Sequence, residues 1–448
     1  MAESEKTTIM NTSSYAKKPR IVVIGGGFAG LNFVKKIDRK KFDVTLIDRN
    51  NYHSFPPLFY QIASSGLDPA SISFPFRREM RSSARGVNFN MGEVKSIDTD
   101  AKTVTTQFGK VNYDKLVICA GTTNNFYGIP DLEKTVYTLK STAEAIRCRN
   151  DILDRLERAA ITDDEDKRRK LLSFTIIGGG PTGVEIAGAL GEMKRYVLKR
   201  EYPRISPDEV SVTIIEGTDR LLRTMSEKAS AEALRYMDEL MVKVQLGKTM
   251  ESYCDNVIRF TDGSEMYSET VIWTAGVTGI SFNFEGTKPE IYPGNRFVVD
   301  EYNRVSGVDD VFALGDICIH TDEEYTRGAP QLAQVAIQQA KTLAYNLRKG
   351  AFVRPFKYKD KGTMATVGRN RAVCDLNHLH YAGWFAWLTW MAVHLMSLLG
   401  MRNKIVVFVS WIWSYFTYSS GARLLLHPTR YPLRKRWGEG CDPAKPKS

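Results

Sequence analysis

Short, fully apolar runs alternate along this chain with stretches whose apolar residues recur at helical spacing. Ile21–Ile24 is one such run, suited to a strand buried on both faces. Leu31, Val34 and Ile37 then mark one face of a helix, and a second run, Val44–Ile47, ends at Asp48. The same order returns from residue 172: LSFTII, a helix starting near Val184, and VSVTIIE ending at Glu216. Between that helix and that strand, KRYVLKREYPRISPDE carries two prolines and many charges, and reads as a surface insertion. Near the end of the chain, 376–401 and 405–422 contain no Asp, Glu, Lys or Arg and are separated by Arg402, Asn403 and Lys404. The pattern predicts an α/β molecule with two parallel-sheet units and a C-terminal helical segment.

Glycines at each first turn say what the two units hold. Gly25-x-Gly27-x-x-Gly30 follows the first run at once, and Gly178-x-Gly180-x-x-Gly183 follows its counterpart. The first glycine of each permits a tight turn, the second lets backbone approach a pyrophosphate, and the third lets helix pack close to strand. A helix N-terminus then offers free N–H groups and the positive end of its dipole. Asp48, 18 residues beyond Gly30, and Glu216, 33 beyond Gly183, are placed to accept from a ribose hydroxyl. Both units are therefore predicted to be Rossmann-type dinucleotide-binding domains. A carboxylate at Glu216 disfavours a 2′-phosphate and points to NADH over NADPH, with Arg220 and Arg223 nearby as a counterweight.

Composition narrows the class. With 448 residues, 43% hydrophobic and 25% charged, the chain is globular and long enough for about three domains at roughly 150 residues each. Mean hydropathy of −0.28 argues against a polytopic membrane protein. The six cysteines form no C-x-x-C pair, so no zinc or dithiol signature is present, no metal site is expected, and a reducing compartment fits. Residues 1–18 read as a flexible leader without a secretory apolar core. The net charge is +11, and residues 402–448 hold nine basic residues against two acidic ones. Beside apolar, aromatic segments, that basic tail points to an anionic lipid surface in preference to nucleic acid.

Further segments resemble the two-dinucleotide flavoproteins with the glutathione-reductase-like fold. VICAGTT (117–123) and VIWTAGV (271–277) are similar to that family's strand-to-turn segments between domains, and RVSGVDDVFALGDIC (304–318) to its second flavin motif. Within that fold the chain resembles the type II NADH dehydrogenases, single-subunit NADH:quinone oxidoreductases. The matching segments are NNYHSFPPLFYQIASSGL (50–67), GAPQLAQVAIQQA (328–340) and KGTMATVGRNRAV (361–373). The resemblance implies FAD in the first cradle, at Gly25, Gly27, Phe28, Ala29, Gly30, Asp48, Arg49, Ala120, Gly121, Asp316 and Ala333. It implies NADH in the second, at Gly178, Gly180, Thr182, Gly183, Glu216 and Gly276. Glu185, Gln334, Gln338 and Lys361 are the expected catalytic group. Gln334 and Gln338 are four apart on a predicted helix, so their amides share a face that could meet a quinone carbonyl. Lys361 is expected to stabilise negative charge on the flavin, and Glu185, inside the first helical turn, to contact the nicotinamide and quinone region. No cysteine lies in 49–75, which excludes the dithiol chemistry of the disulfide reductases of this fold.

The domains expected are an FAD-binding domain over 19–135 and 290–375, an NAD-binding domain over 136–289, and a membrane-associated domain over 376–448. Five of the seven tryptophans fall within 376–401 and 405–422, scattered along them, and Thr389, His394 and Ser397 interrupt one side of the first helix. Helices lying in one leaflet fit this better than spanning ones. The activity expected is NADH oxidation coupled to reduction of a membrane quinone, ubiquinone or menaquinone, without ion pumping. It would take place on the cytoplasmic face of the inner membrane, in a peripheral protein that pairs as a homodimer through its C-terminal region. A reductase of a small protein electron carrier and a non-enzymatic flavin redox sensor are the alternatives.

Overall fold

The computed structural model describes residues 18–376, 379–417 and 422–425. The leader up to residue 17 and most of the basic tail, including Arg430, Arg434, Lys435 and Arg436, lie outside the described residues. The first unit opens with β1 (Arg20–Ile24), α1 (Phe28–Lys36) and β2 (Asp43–Asp48), and continues with β3 (Val87–Met91) and β4 (Lys115–Ile118). β5 (Thr122–Asn124) leads out of it. The second unit contains β6 (Tyr137–Thr138), β7 (Ser173–Ile177), α2 (Pro181–Glu192), β8 (Ser211–Glu216), β9 (Lys243–Leu246) and β10 (Thr270–Trp273). β11 (Val277–Gly279) leads back, and β12 (Val311–Ala313) and α3 (Ala333–Lys349) complete the first unit. β13 (Thr363–Thr366), β14 (Ala372–Leu376), β15 (Leu379–Ala382), α4 (Trp384–Ser397) and α5 (Met401–Thr417) close the chain.

Two five-stranded parallel sheets carry the architecture, in the orders β12-β4-β1-β2-β3 and β6-β10-β7-β8-β9. β1 and β2 pair from Arg20↔Asp43 to Ile24↔Ile47, and β7 and β8 from Ser173↔Ser211 to Ile177↔Ile215. The sequence-predicted strands are therefore in place, and their apolar runs are explained: Ile21, Val23, Val44, Leu46, Ile176 and Ile214 are all buried on sheets covered on both faces. The units are joined by the antiparallel pair β5–β11, with Thr122 opposite Gly279. Return to the first unit is already complete at residues 283–285, which pair in parallel with 96–98. At the other end the antiparallel sheet β13-β14-β15 runs directly into α4.

One expectation is corrected. The stretch 194–209 is no surface insertion: α2 continues through a π turn over Met193–Val197 into a helical turn over Leu198–Glu201. Met193, Val197, Leu198, Tyr202 and Ile205 are buried in the core shared with α2 and α4. The five-residue turn rotates this apolar set inward, while Lys199, Arg200 and Glu201 stay on the outside. Helix α2 also begins at Pro181, three residues before the expected start. Proline is suited to the first helical position, where its missing N–H has no intrahelical partner to lose.

Candidate functional site

The two cradles are built alike down to single hydrogen bonds. Gly25 and Gly178 turn at φ +94° and +112°, in the left-handed region that glycine tolerates. A Cβ on Gly30 would overlap the Gly25 carbonyl oxygen, and one on Gly183 would overlap that of Gly178. Gly27 and Gly180, by contrast, face open space. Neither helix N-cap receives a side-chain hydrogen bond, so the first-turn N–H groups of α1 and α2 are free for an anion. Each acid ends its strand: Asp48 accepts from Gly26 N at 2.7 Å and Asn50 N at 2.7 Å, and Glu216 from Gly179 N at 2.6 Å and Thr218 N at 2.8 Å. Burial pushes the Asp48 carboxyl above its ordinary value, against these donors. Beyond β2 a cavity of about 250 Å³, lined by Ile47, Arg77, Phe89, Met91, Phe108 and Lys110, offers apolar walls and a basic rim for an adenosine. The residues present thus fit one dinucleotide per cradle.

The remaining cofactor residues gather at the mouths of these sheets. Phe28 opens α1 with its ring edge-on to His53 and Phe55, each 5.6 Å away. Ala29 is buried, whereas Arg49 and Thr182 are exposed. Ala120 and Gly121 come directly after β4, and Gly121 (φ +69°) has open space around its missing side chain. Gly276 (φ +89°) lies under the Tyr127 hydroxyl. Asp316 occupies a short turn, Gly315–Ile317, that packs between Ala336 of α3 and Ala29 of α1. Gln339, which the sequence reading passed over, is fully buried and accepts from Gly315 N at 2.7 Å, fixing that turn. Cys119 and Cys318 are buried, and burial pushes the Cys318 thiol up to about 12, so no reactive thiolate stands here.

Gln334 and Gln338 do share a face of α3, but their amides are engaged. Gln334 accepts from Lys361 N at 3.0 Å and donates to Gly362 O at 3.1 Å. Gln338 accepts from Lys359 N at 3.0 Å and donates to Lys359 O at 2.9 Å. Together they clamp the segment 359–362 against the helix and leave the Lys361 side chain exposed.

Glu185 differs from its expected setting too. It is the fifth residue of α2, beyond the first turn, and points to the C-terminal module instead of the helix end. It is buried between α2, Thr366 and Trp390, and burial pushes its pKa up to about 8. The Trp390 indole N–H lies beside this carboxyl without closing a hydrogen bond of ordinary geometry. Tyr60 adds a buried hydroxyl, which accepts from Gln61 Nε2 at 2.8 Å, while Trp411 Nε1 donates to Gln61 Oε1 at 2.8 Å. Ala189 and Glu192 continue the Glu185 stripe along α2 and form one wall of a cavity of about 110 Å³. Tyr60, Trp387, Trp390, Trp411 and Arg369 supply other walls. The Arg369 N–H donates to Glu192 at 2.6 Å and its guanidinium reaches Ser414, tying α2 to α5.

Comparison with known proteins places this arrangement. Residues 19–340 match the pyridine nucleotide-disulphide oxidoreductase family model, and residues 361–418 match the NDH2 C-terminal domain. The type II NADH:quinone oxidoreductase NdhA of Mycobacterium tuberculosis is 33% identical over 430 residues, covering 91% of this chain and 90% of the relative. This chain belongs to the type II NADH:quinone oxidoreductase family. A second relative from the same organism, Ndh, is 31% identical over 427 residues, covering 92% and 91%. The fold is that of NDH2 from Plasmodium falciparum, solved in complex with NADH, with a TM-score of 0.82 at 22% identity over 92% of this chain and 100% of that one. The sulfide:quinone oxidoreductase of Aquifex aeolicus shares the fold less closely, with a TM-score of 0.68 at 20% identity over 92% and 96%.

The family's C-terminal module here is two-faced. Ala386, Trp390 and Val407 are buried in a core shared with α2 and with residues 55–72, whereas Phe385, Met396, Met401, Trp413 and Phe416 are each at least 64% exposed. No helix among the described residues is long and apolar enough to cross a membrane. Thr389, His394 and Ser397 all bond carbonyls one turn back, at Phe385, Trp390 and Val393, so their polar groups are satisfied within α4. Burial pushes His394, stacked on Trp390 at 4.0 Å, down to about 4, so it is neutral at physiological pH.

Proposed function

We propose a division of labour for this FAD-dependent, non-pumping NADH:quinone oxidoreductase: FAD in the first cradle, NADH in the second, and a membrane quinone admitted through the cavity beneath α4 and α5. Bound FAD supplies the two-electron redox chemistry that links NADH to quinone. The chain binds, orients and protonates. Gly25, Gly27 and Gly30 with the α1 N-terminus hold the flavin dinucleotide's pyrophosphate, Asp48 takes a ribose hydroxyl, and Asp316 faces the chain leading to the ring. Gly178, Gly180, Gly183 and Glu216 do the same for NADH, and the Glu216 carboxylate repels a 2′-phosphate. Gln334 and Gln338 act by fixing 359–362, so that Lys361 is presented from a rigid segment to negative charge near the flavin.

Glu185 holds a proton. It is neutral below about pH 8 because burial disfavours its charged form, and it sits one helical turn from the cavity wall at Ala189. A carboxylic acid so placed can give its proton to a quinone oxygen as charge develops there, and refill through Tyr60 and the cavity. This single observation, a buried neutral carboxyl between the nucleotide helix and an aromatic-walled cavity, carries the reading. The exposed apolar rows of α4 and α5 support attachment in one leaflet: α4, at 14 residues, is about 21 Å long, short of the roughly 30 Å hydrocarbon core. Arg402, in the first turn of α5, is exposed and suited to anionic headgroups.

The test is turnover of NADH by the purified chain with a quinone, in vesicles with and without anionic lipid. Quinone-dependent turnover that rises with anionic vesicles supports the assignment. Turnover with a small protein carrier but none with quinone overturns it. Sedimentation of the detergent-free protein as a dimer whose exposed rows are covered would give those rows to a second copy of the chain instead of lipid.

A further inference from the structure

One half-buried cation stands apart from the glycine cradles and from the quinone cavity. Lys140 lies just after β6, where the chain crosses from the first unit to the second. Its Nζ donates to Thr122 Oγ1 at 3.2 Å, on β5. Thr122 is paired with Gly279 on β11, and a Cβ on Gly279 would come within 3.1 Å of the Ile317 side chain, so the Gly315–Ile317 turn lies directly beneath. That turn carries Asp316. Lys140 and Asp316 are each other's strongest charged neighbour, both are half-buried, and yet they form no ion pair.

The surrounding charges are engaged elsewhere. Glu144 accepts from Thr138 Oγ1 and Lys140 N, both at 2.8 Å, as part of the cap of the next helix. Arg296 donates twice to Cys318 O, at 2.9 and 2.6 Å. Cys318 donates to Gly315 O. Among the described residues no donor pairs with the Asp316 carboxylate. Next to Thr122, Gly121 opens onto free space. An ammonium that spends one of its three donors on Thr122 and a neighbouring carboxylate that accepts no hydrogen bond leave capacity for a group that bridges them.

We propose that Lys140 is a flavin-holding residue. Its ammonium and the Asp316 carboxylate grip one polyhydroxyl chain from opposite sides, the ribityl of FAD: a hydroxyl can donate to the carboxylate while its oxygen accepts from the ammonium, which neither an apolar group nor a lone anion can do. Because Lys140 belongs to the crossing segment, the grip also ties the first unit's cofactor to the second unit's position. This inference rests on reading the first cradle as the FAD site.

The experiment uses the purified full-length holoenzyme and reads the rate of FAD release, from the rise in free flavin fluorescence, together with flavin occupancy. Lys140→Met is expected to release FAD about ten-fold faster, as loss of a charge-assisted hydrogen bond requires. Lys140→Gln, which keeps a donor, is expected to fall between Lys140→Met and the native chain, and decides the matter if Lys140→Met does not fold. The NADH dissociation constant and the far-ultraviolet spectrum are expected to stay unchanged in the folded variant. Release at the native rate in the variants overturns the proposal, as does faster release accompanied by weakened NADH binding, which would mark a merely structural role. A native chain that purifies without flavin and takes up none would instead overturn the FAD reading on which the inference stands.

Discussion

Up to the glycines and the ribose acid, the first and second cradles are near copies, with the same positive-φ turn, the same excluded Cβ and the same carboxylate on the next glycine's N–H. After the helix they part. α1 ends at Lys36 and reaches β2 in six residues. α2 instead runs on through the π turn and the Leu198–Glu201 turn before β8, and this extension carries Met193 and Val197 to the cavity. Arg200 and Glu201 reach on to Thr417 and Arg423 of the C-terminal module. The shared part fits a dinucleotide. The divergent part joins the second cradle to the C-terminal helices, so the two sites have different neighbours although their glycine turns are alike.

Breaking the shared part has the largest effect. Gly30→Ala drives a methyl into the Gly25 carbonyl and is expected to yield protein without flavin. Gly183→Ala is expected to keep flavin and lose NADH binding by at least about ten-fold, an overpacking cost at a backbone contact. Flavin loss from Gly183→Ala, with flavin kept in Gly30→Ala, would reverse the assignment of the cradles. Next come the C-terminal helices that the extension of the second cradle meets. Phe385→Glu with Phe416→Glu removes two large exposed apolar side chains, each worth about 1.5–3 kcal/mol when buried, and partition into vesicles is expected to fall by about 100-fold or more while flavin content holds. Unchanged partition would show that these faces do not meet lipid.

Glu216→Ala removes the ribose contact together with the acceptor for Gly179 N and Thr218 N, and is expected to raise the NADH KM about ten-fold with little change in flavin content, measured by steady-state kinetics and absorbance. The smallest effect sharpens the divergence. Glu185 titrates near pH 8 in the folded chain against an ordinary 4.5, so between those values the folded chain binds the extra proton and its stability falls as pH rises. Glu185→Gln is expected to flatten the fall in melting temperature between about pH 5 and 8. An unchanged slope would mean that Glu185 is ionised and paired.

The part of this that was legible in the sequence was local. Apolar runs, glycine spacing and terminal acids lie within some 45 residues of one another, and backbone geometry dictates each of them, so both cradles could be read directly. The extension after α2 was misread because its charges and prolines hid an apolar set, and a π turn, which no spacing rule foresees, rotates that set inward. Glu185 was assigned to the helix end because its burial is made by Thr366 and Trp390, nearly two hundred residues away. Gln334 and Gln338 were legible as a face of α3, but not what that face would meet, since the Lys359–Gly362 backbone takes both amides. Tyr60, Gln339, Lys140 and Arg369 have no local signature, because each acts through a partner that only the tertiary fold brings near.

The central claim is that one bound flavin accepts from NADH held by the second cradle and is emptied by a quinone entering near Glu185. It is tested most directly by mixing the purified holoenzyme with NADH in the absence of oxygen, recording the visible flavin absorbance, and then adding quinone. Loss of the flavin band with NADH and its full return with quinone are predicted, with the return slowed in Glu185→Gln and the loss unaffected. A flavin band that NADH does not bleach, or that quinone does not restore, would contradict it.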